Sequence, residues 1–211
     1  MKYKYVLWDF NGTIVNDVNI CLSIINELLE EEGKEKISLE KYRAIFTFPV
    51  IEYYKRVGII SCDDEFEEYA HKWMNRYYEL EKEAVLFEDS IPTFEAIKAM
   101  GIHQGVLSAS RIDQLTRMLK QFSVDSYMND ILGISDIYAA SKVHIGKEFI
   151  EKTHLNPSDF VMLGDTLHDY EVAREMGIDC ILIAQGHQSF EVLKTSGVSV
   201  VERAQDVLSL L

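Results

Sequence analysis

The stretch Tyr5-Val6-Leu7-Trp8-Asp9-Phe10-Asn11-Gly12-Thr13 decides how the rest of the chain is read. An apolar run breaks off into a carboxylate, an amide, a glycine and a hydroxyl within five residues. A buried strand of a parallel sheet ends in this way when it opens into a crevice, because ligands of open α/β sheets bind beyond the carboxyl ends of the strands. In that setting Asp9 reads as a nucleophile or a metal ligand. The same residues also suit an Asx-type turn after a strand, with Gly12 supplying a positive φ.

Downstream of Thr13 the periodicity becomes helical and stays so until about residue 85. Cys21, Leu22, Ile25, Leu28 and Leu29 recur at spacings of three and four, predicting an amphipathic helix that stops at Gly33. Ser38 can cap a second helix through Tyr42 and Ile45, and Pro49 can open a third carrying Ile51, Tyr54 and Val57. Asp64 with Glu67 resembles a capping box for a long fourth helix, with Phe66, Ala70, Trp73, Met74 and Tyr77 on its inner face. From about Val85 helices alternate with apolar strands, the pattern of βαβ units and a parallel sheet. Strands are expected at Gly105–Leu107, Ile131–Ile134, Phe160–Leu163 and Cys180–Ile183, with Val198–Val201 as a candidate edge strand and 204–211 as a terminal helix. The expected fold class is therefore α/β, a Rossmann-like doubly wound parallel sheet (1–14 and 86–211) with an inserted all-helical domain (15–85).

The bulk numbers exclude several function classes. With 211 residues, 47% hydrophobic and 27% charged, the chain has enough material for one core and an accessory domain. A formal charge of −14 disfavours nucleic acid and anionic membranes as partners, which need clustered basic surface. Any anion site must then be built locally from backbone N–H groups, a lysine and a divalent cation. Cys21, Cys62 and Cys180 are widely spaced and odd in number, which fits neither a disulfide framework nor a zinc site and reads as three core cysteines in a reducing, cytoplasmic protein. Asp9 interrupts the opening apolar run, so no leader peptide is expected, and no stretch approaches the roughly 20 apolar residues of a membrane span.

Four polar clusters fall at the C-terminal ends of expected strands: Asp9/Asn11/Thr13, Ser108, Lys142, and Asp165/Asp169. Right-handed crossovers bring all such ends to one sheet edge. Carboxylates, a hydroxyl and a lysine suit a hard, oxygen-liking cation such as Mg²⁺ and a phosphoryl group, and lack the softer ligands zinc prefers.

The order Asp9-Phe10-Asn11-Gly12-Thr13, Leu107-Ser108, Lys142 and Gly164-Asp165-Thr166-x-x-Asp169 resembles the haloacid dehalogenase-like superfamily of aspartate-nucleophile phosphatases. The helical insert, and Ala173 and Gly177 behind Gly164-Asp165, resemble its phosphoglycolate phosphatase-like branch with a helical cap. The resemblance implies that Asp9 attacks phosphorus and that Mg²⁺ is held by Asp9, Asp165 and the Asn11 backbone carbonyl, with Asp169 supporting the metal or orienting Lys142. It implies that Gly12, Thr13, Ser108 and Ala109 hold phosphate oxygens and that Lys142 pairs with Asp9 and the phosphate. The Pro-x-Pro-Asp that usually follows that lysine is Val143-His144-Ile145-Gly146 here, which leaves Lys147 as an alternative.

The departure with most consequence is Asn11, where these phosphatases normally carry a second aspartate that protonates the leaving oxygen and then activates water. An amide can do neither, and such assistance is typically worth about 10²–10⁴-fold. Three outcomes are compatible: a phosphatase of acyl or aryl phosphates, or one recruiting another carboxylate such as Asp17; a phosphate-ligand binding or regulatory protein with little turnover; or deamidation at Asn11-Gly12. Specificity is expected in the insert, where Arg43, Tyr53 and Arg56 near the turn Phe46-Thr47-Phe48-Pro49 are candidates for substrate contact. The expected partner is a small phosphorylated metabolite, bound by a monomer or homodimer.

Overall fold

The computed structural model describes residues 2–134 and 142–211. In chain order, β1 (Tyr5–Trp8) leads through β2 (Val15–Asn16) into helices α1 (Val18–Glu31), α2 (Leu39–Ile45), α3 (Val50–Val57) and α4 (Phe66–Leu80). The chain returns by β3 (Val85–Leu86) and continues as α5 (Ser90–Ala99), β4 (His103–Arg111), α6 (Ile112–Gln121), β5 (Asp130–Ile134) and α7 (Lys142–Thr153). It ends with β6 (Phe160–Gly164), α8 (Leu167–Met176), β7 (Asp179–Ile183), α9 (Phe190–Lys194) and β8 (Ser199–Val201).

Six strands form one sheet in the order β5-β4-β1-β6-β7-β8, and every pairing is parallel. β1 lies between β4 and β6, so the winding reverses beside it and opens a crevice at its carboxyl end. All four residues of β1 are buried, as a central strand covered on both faces requires. Val6 and Trp8 join one apolar cluster with Phe94, Leu115 and Leu163, while Tyr5 and Leu7 join the cluster on the other face with Leu107, Met162 and Leu182. Trp8 places its indole N–H 3.1 Å from Gln104 Oε1, so the polar atom of this buried ring is satisfied.

The helices between β2 and β3 enclose a third buried cluster, including Ile24, Ile25, Leu29, Tyr42, Tyr54 and Tyr77. β2 and β3 pair antiparallel, Val15 with Leu86 and Asn16 with Val85, so the chain leaves and re-enters the sheet through one short ribbon. Periodicity does not signal this ribbon, because two-residue strands are too short to show alternation.

Several local expectations need correction. α4 buries Tyr69 and Tyr77 with Trp73 half-buried between them, an i, i+4, i+8 stripe, and leaves Met74 38% exposed. Its entrance is closed by Glu65, whose carboxylate accepts from the backbone of Ser61 and Cys62, in place of an Asp64/Glu67 box. Cys62 sits in this exposed turn, whereas Cys21 and Cys180 are buried. β4 outruns its apolar centre at both ends, because His103 and Gln104 pair with β1 and β5 pairs with it as far as Arg111, across a register shift after Leu107. Residues 204–209 form a 3-10 turn closed by Asp206 rather than an α-helix. Among the described residues no helix is long and apolar enough to cross a membrane.

Candidate active site

Trp8 pairs with Val106 on one side and Leu163 on the other. Asp9, Ser108 and Asp165 therefore come off three adjacent strands at the same edge, within two residues of that row. The Asp9 N–H donates to the Leu163 carbonyl at 2.8 Å, which extends the ladder just far enough to hold the aspartate at the lip of the crevice. The chain then turns back, with Ile14 and Val15 donating to the Phe10 carbonyl and Gly12 at φ 75°. Glycine is required at 12 for a second reason: a methyl group there would strike the Asp165 carboxylate and the His187 ring.

Asp165 is 1% exposed; its Oδ1 accepts from the Thr13 hydroxyl at 3.0 Å and its Oδ2 from the His187 N–H at 2.6 Å. Asp169, in the first turn of α8, uses Oδ2 to cap the helix, accepting from the Thr166 hydroxyl at 2.7 Å and the Thr166 N–H at 3.0 Å. Its Oδ1 receives Lys142 Nζ at 2.8 Å, and the same ammonium bonds Asp9 Oδ1. Carboxylate oxygens of Asp9, Asp165 and Asp169 all lie within 4.8 Å of one another.

This arrangement is short of positive charge. Burial pushes the Asp9 carboxyl up to about 8; Lys142 pulls it down, and Asp169 and Asp165 push it further up. Burial likewise raises Asp165 to about 6 against the pull of His187. For Asp169 the lysine and the Thr166 hydroxyl outweigh burial and hold the carboxyl below the ordinary range. An all-oxygen group of buried carboxylates with too little cation around it fits a hard divalent ion and suits neither zinc nor a soft metal.

Residues 6–183 match the family model described as haloacid dehalogenase-like hydrolase. The chain belongs to the haloacid dehalogenase-like hydrolases. Among curated relatives, a pyrophosphatase PpaX from Bacillus mycoides is 21% identical over 100% of this chain and 98% of its own. A tyrosine-protein kinase PtkA from Mycobacterium tuberculosis is 22% identical over 97% of this chain and 70% of its own. Among solved structures, a haloacid dehalogenase-like hydrolase from Streptococcus pneumoniae superposes with a TM-score of 0.81 at 20% identity, covering 99% of this chain and 98% of that one. A predicted phosphoglycolate phosphatase from Haemophilus somnus gives 0.74 at 19% identity, covering 100% and 98%. These likenesses establish the shared fold.

Within this haloacid dehalogenase-like frame, Asp9, Thr13, Lys142, Asp165 and Asp169 converge, while Lys147 is exposed on α7. Ser108 is buried, its hydroxyl accepting from the Ser110 N–H at 3.1 Å, and Ala109 beside it is exposed. The Asn11 side chain is turned to other partners: its Nδ2 donates to Asp17 Oδ2 at 2.8 Å and to the Tyr77 hydroxyl at 2.7 Å.

The insert is seated on the sheet edge through the loop after β7. Arg43 donates to the carbonyls of Gln185 at 2.7 Å and Gly186 at 2.9 Å, and Gln188 reaches back to the Phe46 carbonyl at 2.8 Å. Phe46 stacks on His187 with ring centroids 5.1 Å apart, and Phe48 lies 4.8 Å from His168. Arg43 thus fastens insert to core, and Arg56 is exposed on α3. The sequence, having no metal-like spacing around His187, leaves that residue without a role, although Gly186-His187 comes after the Cys180–Ile183 run as Ser108 comes after its own. The same strand-end rule would have found it.

Proposed function

We propose that the chain is a Mg²⁺-dependent phosphatase acting on a small phosphorylated compound through an aspartyl phosphate on Asp9. The observation that carries this reading is the meeting of Asp9, Asp165 and Asp169, with Lys142 bonded to the first and last, at the edge where the winding reverses. Asp9, Asp165 and the Asn11 carbonyl would hold the ion, which neutralises phosphoryl charge when bound. An Asp9 carboxylate oxygen attacks phosphorus as the bond to the leaving oxygen breaks, and the leaving group departs with the electron pair. Water then attacks the acyl phosphate, freeing inorganic phosphate and restoring Asp9. Lys142 holds Asp9 in line and shields it from phosphate charge; Asp169 fixes that lysine, and Gly12, Thr13, Ser108 and Ala109 line the phosphate cradle. The insert is the lid, and its seating through Arg43 and Phe46 excludes water during transfer.

Asn11 cannot lend a proton, so the reading favours leaving groups that need none. Acyl and aryl phosphates qualify, and so does pyrophosphate, whose leaving group is phosphate and which the name of the Bacillus mycoides relative points to. The test is a panel of acetyl phosphate, p-nitrophenyl phosphate, pyrophosphate and phosphoglycolate with Mg²⁺, read as phosphate release against an Asp9→Asn control. Turnover that falls as the leaving group becomes more basic supports the reading; no turnover above the control on any of the four overturns it. Asn11 also favours a second reading, a phosphate-binding protein, which metal-dependent binding of the same compounds without release would support.

A further inference from the structure

Asp17 stands where the chain crosses into the insert, between β2 and α1, and is 2% exposed. Its Oδ2 accepts from Asn11 Nδ2 at 2.8 Å and the Tyr77 hydroxyl at 2.7 Å, with Cys21 Sγ at 3.8 Å. Its Oδ1 accepts from the Gly12 N–H at 3.2 Å and faces His187 Nε2 at 3.3 Å. A carboxylate offers about four lone-pair sites, and all of these are taken. Asp17 therefore has no free oxygen with which to carry a proton to a substrate, and is not a stand-in acid. Its donors come instead from three places: the turn after Asp9 (Asn11, Gly12), the insert (Tyr77 on α4, Cys21 on α1) and the loop after β7 (His187), whose N–H holds Asp165.

We propose that Asp17 is a positioning residue that ties the Asp9 turn to the seated insert through the Asn11 amide and the Gly12 N–H, and that Asn11 and Asp17 form a matched amide–carboxylate pair. This rests on the phosphatase reading for its catalytic consequence, and on the hydrogen bonds alone for the pairing. A carboxylate at position 11 would face that of Asp17 across a part-buried 2.8 Å contact that has lost its donor. Asn11→Asp by itself is then a loss. Exchanging the two side chains re-forms the bond between them: the amide at 17 donates to the new carboxylate at 11, its oxygen accepts from Gly12 and His187, and the Tyr77 hydroxyl turns to position 11, while the negative charge facing His187 and the oxygen facing Cys21 are lost.

The experiment is a four-protein cycle of native, Asn11→Asp, Asp17→Asn and the exchanged double variant. It is read twice: as kcat and KM for p-nitrophenyl phosphate with Mg²⁺, and as melting temperature in EDTA. Each single change should lower kcat about 10–100-fold, the cost of a misplacement on the ångström scale, with KM within about threefold. The double should recover at least tenfold over the worse single. Tyr77→Phe, which removes only the branch to α4, should lower kcat about threefold or more. A double variant whose losses simply add, an Asn11→Asp protein as active as native, or an unaffected Tyr77→Phe enzyme overturns the proposal. If no protein of the set turns over p-nitrophenyl phosphate or the other three compounds of the panel, the phosphatase reading fails by itself and the melting temperatures still decide the pairing. A double that melts above both singles upholds the pair, and additive losses overturn it.

Discussion

Two buried carboxylate centres lie side by side in this chain and are treated in opposite ways. Asp9 and Asp169 share one ammonium, Asp165 beside them has none among the described residues, and burial drives the carboxyls of Asp9 and Asp165 upward. Asp17, a few residues away, is supplied with donors on both oxygens and, although burial works against it, His187 holds its carboxyl below the ordinary range. Asp17 in turn raises His187 to about 9 against burial, so this pair is ionised at neutral pH. The first centre is left wanting a cation and the second is complete. A charge deficit kept inside a fold is expensive, and it persists where binding something later removes it.

That contrast can be broken, most severely at Asp9. Asp9→Asn should cut phosphate release about 10³-fold or more, and a milder loss would mean that another group attacks phosphorus. Asp17→Ala strands the buried His187 charge and should cost about 3–5 kcal/mol in denaturant titration; a cost below about 1 kcal/mol would show that the second centre is not complete in the sense used here. Mg²⁺ at a hundred times its dissociation constant should stabilise the native protein by about 2.7 kcal/mol, seen as a higher melting temperature, and should do nothing for Asp165→Asn. In EDTA the first centre should behave as a liability. With the Asp9 carboxyl near 8 in the fold, the native state holds this proton more tightly than the unfolded chain, so metal-free stability falls as pH rises from about 4 to about 8. Asp9→Asn should therefore raise metal-free stability at pH 7.5 by about 0.5–2 kcal/mol while abolishing turnover. The smallest effect is expected at exposed Arg56, where Arg56→Ala should stay within about 0.5 kcal/mol, and a loss of substrate affinity there would return this arginine to the site.

How much of this could be read from sequence depends on the range of each interaction. β1 and β6 announce themselves because a strand covered on both faces must be continuously apolar, so the polar residue that ends it stands out. Asp9 and Asp165 owe their legibility to that contrast, and Lys142, at the start of a helix, to its place in a recognisable order. The meeting of Asp17 with His187 has no such marker. Their pairing spans 170 residues of sequence and depends on how the insert is seated, which no periodicity encodes. Met74 and Tyr69 exchange inside and outside on α4 for the same reason: both lie on an apolar stripe, and the partner helix α1 selects which edge of it is buried.

The β2–β3 ribbon has a consequence for the history of such a chain. Asn16 and Val85 are paired residues, so the two ends of the insert stand only one ladder step apart, about 5 Å. Between such neighbours a length of chain can be lengthened, shortened or exchanged by recombination without moving any strand of the main sheet. The insert and the sheet edge are thereby separable lengths of chain, joined at the ribbon that Asp17 flanks and at the seat made by Arg43 and Gln188.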